Sequence, residues 1–341
     1  MKAATITRSG GPEVIEVRDY PDPVPGPDEI SIKVFAAGVN FADILARRGL
    51  YPDAPKPPVV VGYEVAGTIL KTGKNVSRKP GERVLALTRF HGYSEIVVVK
   101  EEQVFRVPDN LTLSQAAAIP VNYLTAWQLS EMGGLGKDDV LLVHNAGGGV
   151  GLAALDIARH RGAKTIGTAS ASKHERLLDR GYNHVIDYRT ENWTERVREI
   201  TGGRGVDLVF DPLGGASWKN SYRVLAPSGR LGMFGVSEVT TSRLAGPLKY
   251  LSVMRRLPFY TPIQLMNGNK GVYGVNIGRL WNEKKKVRRW AEAILAGAGE
   301  GWISPHIDAA FKLEEAADAH RYIEERKNFG KIILLPNANE E

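Results

Sequence analysis

The chain of 341 residues contains no cysteine. That excludes disulfides, a thiolate nucleophile, iron–sulfur clusters and any cysteine-ligated zinc. Long apolar runs are missing too: no window reaches the ~18 uninterrupted apolar residues of a membrane-spanning helix. Met1 to Gly10, reading MKAATITRSG, has no apolar leader stretch, so the expected location is cytoplasmic. No internal repeat or low-complexity tract is present. Charge of one sign is scarce: 45 Lys and Arg against 38 Asp and Glu leave only +7. Such a balance suits a small anionic ligand or an acidic surface and does not by itself indicate nucleic acid. Apolar residues make up 43%, enough for a large core without a staple. At ~150 residues per domain the length predicts two domains.

The first part of the chain reads as short strands. Thr5 to Arg8 and Val14 to Arg18 flank a hairpin-like turn, Ser9 to Pro12. Prolines at 21, 23, 25 and 27 impose an extended segment. Ile30 to Ala36 alternates apolar and polar residues as a half-buried strand does. Asp43 to Arg48 reads as a short helix ended by Gly49, and Val59 to Val61, Val65 to Leu70, Arg83 to Leu87 and Ile96 to Val99 as further strands. Near Tyr123 the pattern changes. Strands at Val140 to His144, Thr165 to Thr168, His184 to Asp187, Val206 to Phe210 and Arg230 to Gly235 alternate with helices at Val150 to Arg161, Lys173 to Arg180, Asn192 to Thr201 and Ala216 to Leu225. Such alternation predicts a doubly wound parallel sheet covered on both faces. After residue 270, Lys284 to Leu295 and Leu313 to Glu325 read as helices and Lys331 to Leu335 as a last strand.

Val140 to Gly151, VLLVHNAGGGVG, is a strand feeding a glycine turn that opens a helix. In that context Ala146, Gly148 and Gly151 fill the three positions of a G-x-G-x-x-G dinucleotide loop, with alanine at the first. Gly148 lets the backbone approach a pyrophosphate, Gly151 lets helix pack on strand, and the N–H groups of Gly149, Val150 and Gly151 face the phosphates. A tight turn that binds nothing is the competing reading. An NAD site carries an acid about 20 residues on, at the end of the second strand. Here Ile157 to His174 has no acidic residue, and Ser170 and Lys173 stand where the acid belongs. A hydroxyl and an ammonium attract a 2′-phosphate, so the predicted cofactor is NADP(H), with Tyr188 as a further phenol. The alternative for Lys173 is an exposed lysine in a first helical turn.

These stretches, with Ala36 to Asp43 (AAGVNFAD), Gly62-Tyr63-Glu64 with Gly67, and Ala116 to Ala126 (AAAIPVNYLTA), give the chain a resemblance to the medium-chain dehydrogenase/reductase superfamily, in its zinc-free quinone oxidoreductase branch. PVNY at 120–123, GTASASKHE at 167–175, DPLGG at 211–215 and SPHID at 304–308 resemble the vesicle amine transport protein group of that branch. The resemblance implies an α/β fold: a GroES-like β-rich catalytic domain, residues 1–123 and 279–341, plus a doubly wound parallel-sheet Rossmann domain, residues 124–278, that binds NADP(H). It implies a homodimer joined through the Rossmann sheets. Its last Rossmann strand is Gly271 to Gly278. Zinc-dependent relatives use cysteine and the histidine of Gly-His-Glu; here that motif is Gly62-Tyr63-Glu64, so no zinc is expected.

Without a Lewis acid, the substrate must already be electrophilic: a quinone, or an activated C=C bond of an enone or enal. Protons come from solvent or a phenol. By the resemblance, Asn40 and Thr125 lie near the nicotinamide and Tyr51 lines the substrate site. On the residues alone, Asn40 is equally an Asx turn, Thr125 a helix cap and Tyr51 a surface-loop tyrosine. Phe234, Gly235, Val275 and Asn276 fall at strand ends facing the nicotinamide, Leu213 beside the adenine, and Asn328 and Lys331 near the cofactor. Asp43 and Glu64 read as structural carboxylates, Asp211 as a turn former, and the seven histidines as bland. Arg243, Lys249, Arg255 and Arg256 lie among Leu248, Tyr250, Leu251, Met254, Leu257, Phe259 and Tyr260, and Lys284 to Arg289 is KKKVRR. A solvated face with a cleft-lining loop or subunit contact is the favoured reading of this excursion, a membrane-surface patch the other.

Overall fold

The computed structural model describes residues 1–237 and 257–337. Its strands, in chain order, are β1 (Lys2–Ile6), β2 (Ile15–Asp19), β3 (Glu29–Val39), β4 (Val59–Val60), β5 (Glu64–Thr72), β6 (Arg83–Leu87), β7 (Ile96–Lys100), β8 (Val104–Arg106), β9 (Val140–His144), β10 (Lys164–Ala169), β11 (His184–Asp187), β12 (Val206–Asp211), β13 (Leu225–Met233), β14 (Gly271–Gly274), β15 (Ile307–Lys312) and β16 (Lys331–Leu335). The helices used below are α1 (Phe41–Arg47), α2 (Leu113–Ala117), α3 (Pro120–Gly133), α4 (Gly149–His160), α5 (His174–Arg180), α6 (Trp193–Ile200) and α7 (Ala216–Arg223). Further helices run over Pro262–Gly268, Lys284–Gly299 and Ala316–Glu324.

The chain divides into two units, Met1–Leu124 with Gly278–Glu341, and Thr125–Ile277. In the first, a three-stranded sheet, β2-β1-β4, accompanies a seven-stranded sheet ordered β15-β16-β3-β5-β6-β8, with β7 also paired to β3. Strand β3 is central because it is long and alternates side-chain type. It buries Ile30, Ile32 and Val34, which join Ala4, Ile6, Val65, Ile69, Val84, Ile332 and Leu334 in one core. Each such aliphatic side chain removed from water contributes about 1.5–3 kcal/mol. The last strand of the chain, β16, pairs antiparallel with β3 (Ile333 opposite Gly38), so the C-terminal residues complete the sheet begun by the N-terminal ones.

The second unit is a six-stranded sheet in the order β11-β10-β9-β12-β13-β14, every pair parallel. The order reverses at β9, which makes the C-terminal ends of β9 and β12 the switch point of a doubly wound sheet. Ile166, Leu142, Val209 and Leu231 sit opposite one another on four adjacent strands, a single apolar layer that fixes the register.

Several elements differ from the sequence reading; β1, for one, runs over Lys2–Ile6 where Thr5 to Arg8 was expected. Strand β13 begins at Leu225 and ends at Met233, where Arg230 to Gly235 was expected. Pro227-Ser228-Gly229 looks like a break in the sequence, but it is a bend inside the strand, with Ser228 at φ 66° and a register shift against β12. Strand β14 stops at Gly274, not Gly278, because its partner β13 ends at Met233, the residue opposite Gly274. Helix α3 was missed: Pro120 reads as a breaker, yet proline is well placed in the first turn of a helix. Of the basic and apolar excursion, residues 238–256 lie outside the described residues.

Candidate functional site

In a parallel sheet all strands end on one edge. The second unit therefore gathers on that edge the loops after β9 (Asn145 to Gly148), β10 (Ser170 to Lys173), β11 (Tyr188), β12 (Pro212 to Gly215), β13 (Phe234, Gly235) and β14 (Val275, Asn276). This is the edge on which open α/β sheets bind ligands.

The glycine loop has the geometry its spacing requires. A Cβ on Gly148 would lie 2.6 Å from Asn145 Nδ2, and one on Gly151 only 2.4 Å from the Ala146 carbonyl oxygen. Asn145 adopts φ 56° to make the turn. The first long-range helical bond of α4 is from the Leu152 N–H to the Gly148 C=O, 3.0 Å, so the amides of Gly149, Val150 and Gly151 precede it and point out of the helix start. A pyrophosphate fits this cradle: bare backbone, three leading N–H groups and the positive end of a 12-residue helix. Alanine at the first position is explained by Gly167 on β10, whose missing Cβ would sit 2.7 Å from the Ala146 Cβ. The Tyr182 hydroxyl braces the loop from below, donating to the Gly151 C=O at 2.9 Å.

After β10 comes a single 3-10 turn, Ala171–Lys173, closed by the Lys173 N–H to the Ser170 C=O at 2.9 Å. Ser170 and Lys173 thus share one turn at the end of the second strand, where an NAD site would carry its acid. Tyr188, 37% exposed, follows β11. The Leu213 N–H donates to Asp211 Oδ1 at 2.8 Å, the Phe234 N–H to the Asp211 C=O at 3.2 Å and the Val275 N–H to the Met233 C=O at 2.8 Å. Gly235 closes on Pro212, whose carbonyl oxygen a Cβ would meet at 2.9 Å. Asn276 is exposed beside them. Thr125 is buried inside α3, five residues past Pro120, so the helix-cap role is excluded by its position.

One cluster at this edge went unread in the sequence. His144 ends β9 and sits directly opposite Thr168 on β10. Its Nδ1 lies 2.9 Å from Thr168 Oγ1 and its Nε2 3.0 Å from Ser221 Oγ on α7. Ser221 and Ser217 hydroxyls both donate to Asp211 Oδ2 at 2.7 Å. The Trp193 ring packs on the imidazole at 4.6 Å. Since a carboxylate only accepts, Ser221 gives its proton to Asp211, Nε2–H donates to Ser221, and Nδ1 accepts from Thr168. Burial lowers the His144 pKa, with Asp211 opposing, which keeps the ring neutral. The residue types are those of a hydrolytic triad, but the serine's proton faces the carboxylate instead of the imidazole, and the group is buried. It ties together the strand ends from which the glycine loop, the Ser170 turn and the Leu213 loop depart. The signal available in the sequence was position: a polar residue at the C-terminal end of each of β9, β10 and β12.

In the first unit, Asn40 is the N-cap residue of α1. Its backbone N–H donates to Asp43 Oδ2 at 2.8 Å. Its amide is further bonded: Nδ2 donates to Glu64 Oε1 at 2.9 Å and to the Gly38 C=O at 3.3 Å, and Oδ1 accepts from Lys331 Nζ at 2.7 Å. Lys331 also pairs with Glu64, both of them buried. Glu64 Oε2 accepts the Val121 N–H at 2.7 Å, and Gly38 is bare because a Cβ there would strike the Glu64 carboxylate. Asp43 accepts from the Gly62 N–H at 3.0 Å and the Tyr93 hydroxyl at 3.0 Å. Burial raises its pKa to about 7. Asp43 and Glu64 are thus hydrogen-bonding centres of this unit. Tyr51 is half-buried, its ring edge-on to Tyr63 at 5.8 Å. Tyr63 holds the histidine position of Gly-His-Glu, and its buried hydroxyl has no hydrogen-bond partner among the described residues. Leaving a buried hydroxyl unpaired costs about 1–3 kcal/mol. Asn328 donates to the Gly330 C=O at 3.1 Å in the turn before β16. No group of three or more His, Asp or Glu side chains suited to a metal ion occurs among the described residues.

Comparison with known proteins agrees with these features. The alcohol dehydrogenase GroES-like domain signature matches residues 26–109, and that of a zinc-binding dehydrogenase matches residues 180–334. The human synaptic vesicle membrane protein VAT-1 homolog is 38% identical, covering 100% of this chain and 88% of that protein. A quinone oxidoreductase of Pseudomonas aeruginosa is 35% identical over 96% of this chain and 97% of its own length. The chain belongs to the medium-chain dehydrogenase/reductase superfamily. The crystal structure of Escherichia coli quinone oxidoreductase complexed with NADPH superposes with a TM-score of 0.86 at 29% identity, covering 98% of this chain and 100% of that one. The superfamily, its GroES-like and Rossmann-like sheets and these relatives make this protein an NAD(P)H-dependent oxidoreductase. No helix among the described residues is long and apolar enough to cross a membrane.

Proposed function

We propose that this protein is a zinc-independent reductase that uses NADPH to reduce quinones or activated C=C bonds of enones and enals. The observation that carries the reading is the edge of the parallel sheet: a glycine cradle opening α4, followed by a second-strand turn that offers Ser170 and Lys173 in place of an acid. In this reading the amides of Gly149, Val150 and Gly151 hold the pyrophosphate, and Ser170, Lys173 and Tyr188 take the 2′-phosphate. Leu213 flanks the adenine, and Thr125, Phe234, Gly235, Val275 and Asn276 bound the nicotinamide; Asn40 and Asn328 are cofactor contacts by the family resemblance alone. Bound there, the dinucleotide supplies a hydride. Lys331 and Glu64 fix the orientation of the Asn40 amide. Tyr51 orients the substrate.

Two features of the donor set support independence from zinc. Tyr63 replaces the imidazole of the Gly-His-Glu motif, and the Lys331 ammonium already neutralises Glu64 and would repel a divalent cation. The test is steady-state oxidation of NADPH and NADH with a panel of quinones, enones and enals, before and after dialysis against a chelator. Faster turnover with NADPH, unchanged by chelation, is expected; activity that needs stoichiometric zinc would overturn the reading. The homodimer is part of the same proposal, and light scattering at the mass of one chain would remove it.

A membrane-surface protein with little turnover is the second reading. Phe259, Ile263 and Met266, 85%, 69% and 77% exposed, favour it. Against it, the cationic helix Lys284–Gly299 is largely neutralised: Lys284 pairs with Glu102, Lys286 with Glu283 and Arg288 with Glu292. Salt-sensitive flotation with anionic liposomes, together with NADPH binding and no turnover, would favour the second reading.

A further inference from the structure

The reading above gives Tyr188 a part in holding the 2′-phosphate and its neighbour Arg189 none. Ala169, the last residue of β10, stands opposite Asp187, the last residue of β11. Neighbouring strands run ~4.8 Å apart, so the Ser170 turn and the Tyr188 turn leave the sheet edge side by side. Each turn is closed by its own bonds. In the first, the Lys173 N–H reaches the Ser170 C=O, and the Ser170 and Ser172 hydroxyls lie 3.2 Å apart. In the second, the Arg189 N–H donates to Asp187 Oδ1 at 3.0 Å, the Thr190 hydroxyl to Oδ2 at 3.1 Å and the Glu191 N–H to the Asp187 C=O at 2.9 Å. Asp187 thus directs both carboxylate oxygens into its own turn. The Arg189 side chain is exposed, and its guanidinium carbon lies 5.9 Å from the centre of the Tyr188 ring. Lying on a ring face uses none of the guanidinium's N–H donors. Other arginines of this sheet's helices are committed to carboxylates: Arg196 to Glu191 and Glu199, Arg180 to Asp156. Arg189 has no carboxylate within ion-pair distance among the described residues.

We propose that Arg189 is a specificity-determining residue: its guanidinium, laid on the Tyr188 ring, pairs with the 2′-phosphate of NADPH together with Lys173 from the adjacent turn. The proposal rests on the NADPH reading above and concerns the second unit alone. A phosphate monoester carries close to two negative charges at neutral pH, so a single lysine leaves it about half neutralised. A second cation completes the match. The two cations differ in kind: lysine acts as a point charge, whereas the planar fork of arginine presents two parallel N–H groups to two phosphate oxygens. NADH carries a hydroxyl at that position and gives the fork no anion to pair with.

Arg189→Ala keeps every bond that closes the turn, since these come from the backbone of residue 189 and from Asp187, Thr190 and Glu191. Wild type, Arg189→Ala, Arg189→Lys and Lys173→Ala, each as the full chain, are titrated by calorimetry with adenosine 2′,5′-bisphosphate and adenosine 5′-monophosphate, which differ only in the 2′-phosphate, and then with NADPH and NADH. The expected result for Arg189→Ala is an affinity about tenfold lower for the bisphosphate and NADPH and changed by less than about twofold for the monophosphate and NADH, with Arg189→Lys in between. An unchanged bisphosphate affinity in Arg189→Ala, or an equal loss for the monophosphate, overturns the proposal; if Lys173→Ala still loses the bisphosphate selectively, the NADPH reading stands without it. A wild type that binds the monophosphate and NADH as tightly as their 2′-phosphorylated counterparts overturns the NADPH reading itself, and this proposal with it.

Discussion

His320 Nε2 lies 3.2 Å from the Tyr93 hydroxyl, and that contact sets the direction of each proton in the buried chain around it. Tyr93 gives its proton to Asp43, so Nε2–H must donate to Tyr93, and Nδ1 accepts from Arg47 Nη1 at 3.2 Å. Arg47 also pairs with Glu324 at 2.7 Å, which ties α1 to the helix Ala316–Glu324. The N-terminus of α1, where Asn40 stands, is thereby anchored to the end of the chain.

The two ends of that chain titrate against each other. Burial raises Asp43 from 3.8 to about 7, and burial with Arg47 lowers His320 from 6.5 to about 3. Between the ordinary and the shifted pKa of Asp43, the native state holds a proton the unfolded chain has lost, so stability falls as pH rises. Over the His320 window the unfolded chain holds the extra proton, so stability rises with pH. Each slope is about 1.4 kcal/mol per pH unit, and from about pH 4 to 6.5 they cancel. His320→Gln keeps a neutral donor and acceptor but cannot charge. Its stability relative to wild type should fall by about 1 kcal/mol per unit from pH 4.5 to 6.5. Urea unfolding at several pH values checks this, and a pH-independent difference would refute the opposed titrations.

Lys331 and Glu64 form a buried pair whose loss is asymmetric. Lys331→Met leaves the Glu64 carboxylate uncompensated in the core and frees the Asn40 amide to turn. The expected cost is about 3–5 kcal/mol. Lys331→Met combined with Glu64→Gln should recover most of it, because the stranded charge is gone. Calorimetric unfolding of both variants is the measurement. A double variant no more stable than the single one would mean that Lys331 acts by packing alone.

Lys173 separates the two dinucleotides. Lys173→Ala should raise the dissociation constant of NADPH by about tenfold and leave that of NADH nearly unchanged, since only the former carries the 2′-phosphate. Titration of both coenzymes by fluorescence decides it. An equal loss for both would remove Lys173 from the 2′-phosphate role.

The doubly wound sheet was legible because its strands are apolar runs spaced by helical periods, and β9 and β11 match their expected bounds residue for residue. The glycine loop was legible for the same local reason: strand, turn and helix follow one another in sequence. What remained hidden was contact between distant residues. His144 meets Ser221 across 77 positions, and Lys331 meets Asn40 across 291. Spacing has no access to such pairs, so the histidines passed as bland and Lys331 as a minor contact. Strand β15 was missed because Ile307–Lys312 is half-exposed and pairs only with β16, which leaves it without a clear alternation.

His144 offers a test of how the sheet holds its loops. Its two ring nitrogens join β10 to α7 across β9, so the Ser170 turn, the glycine loop and the Leu213 loop share one support. His144→Leu fills similar volume but strands the Thr168 proton and removes the donor to Ser221. His144→Gln retains one donor and one acceptor. The leucine variant should therefore bind NADPH roughly tenfold more weakly, with kcat at saturating NADPH within about twofold of wild type, and glutamine should restore most of the affinity. If the cluster served only to hold the core, the thermal midpoint would fall while the Michaelis constant for NADPH stayed put. Measuring both on the same preparations distinguishes loop positioning from bulk stability.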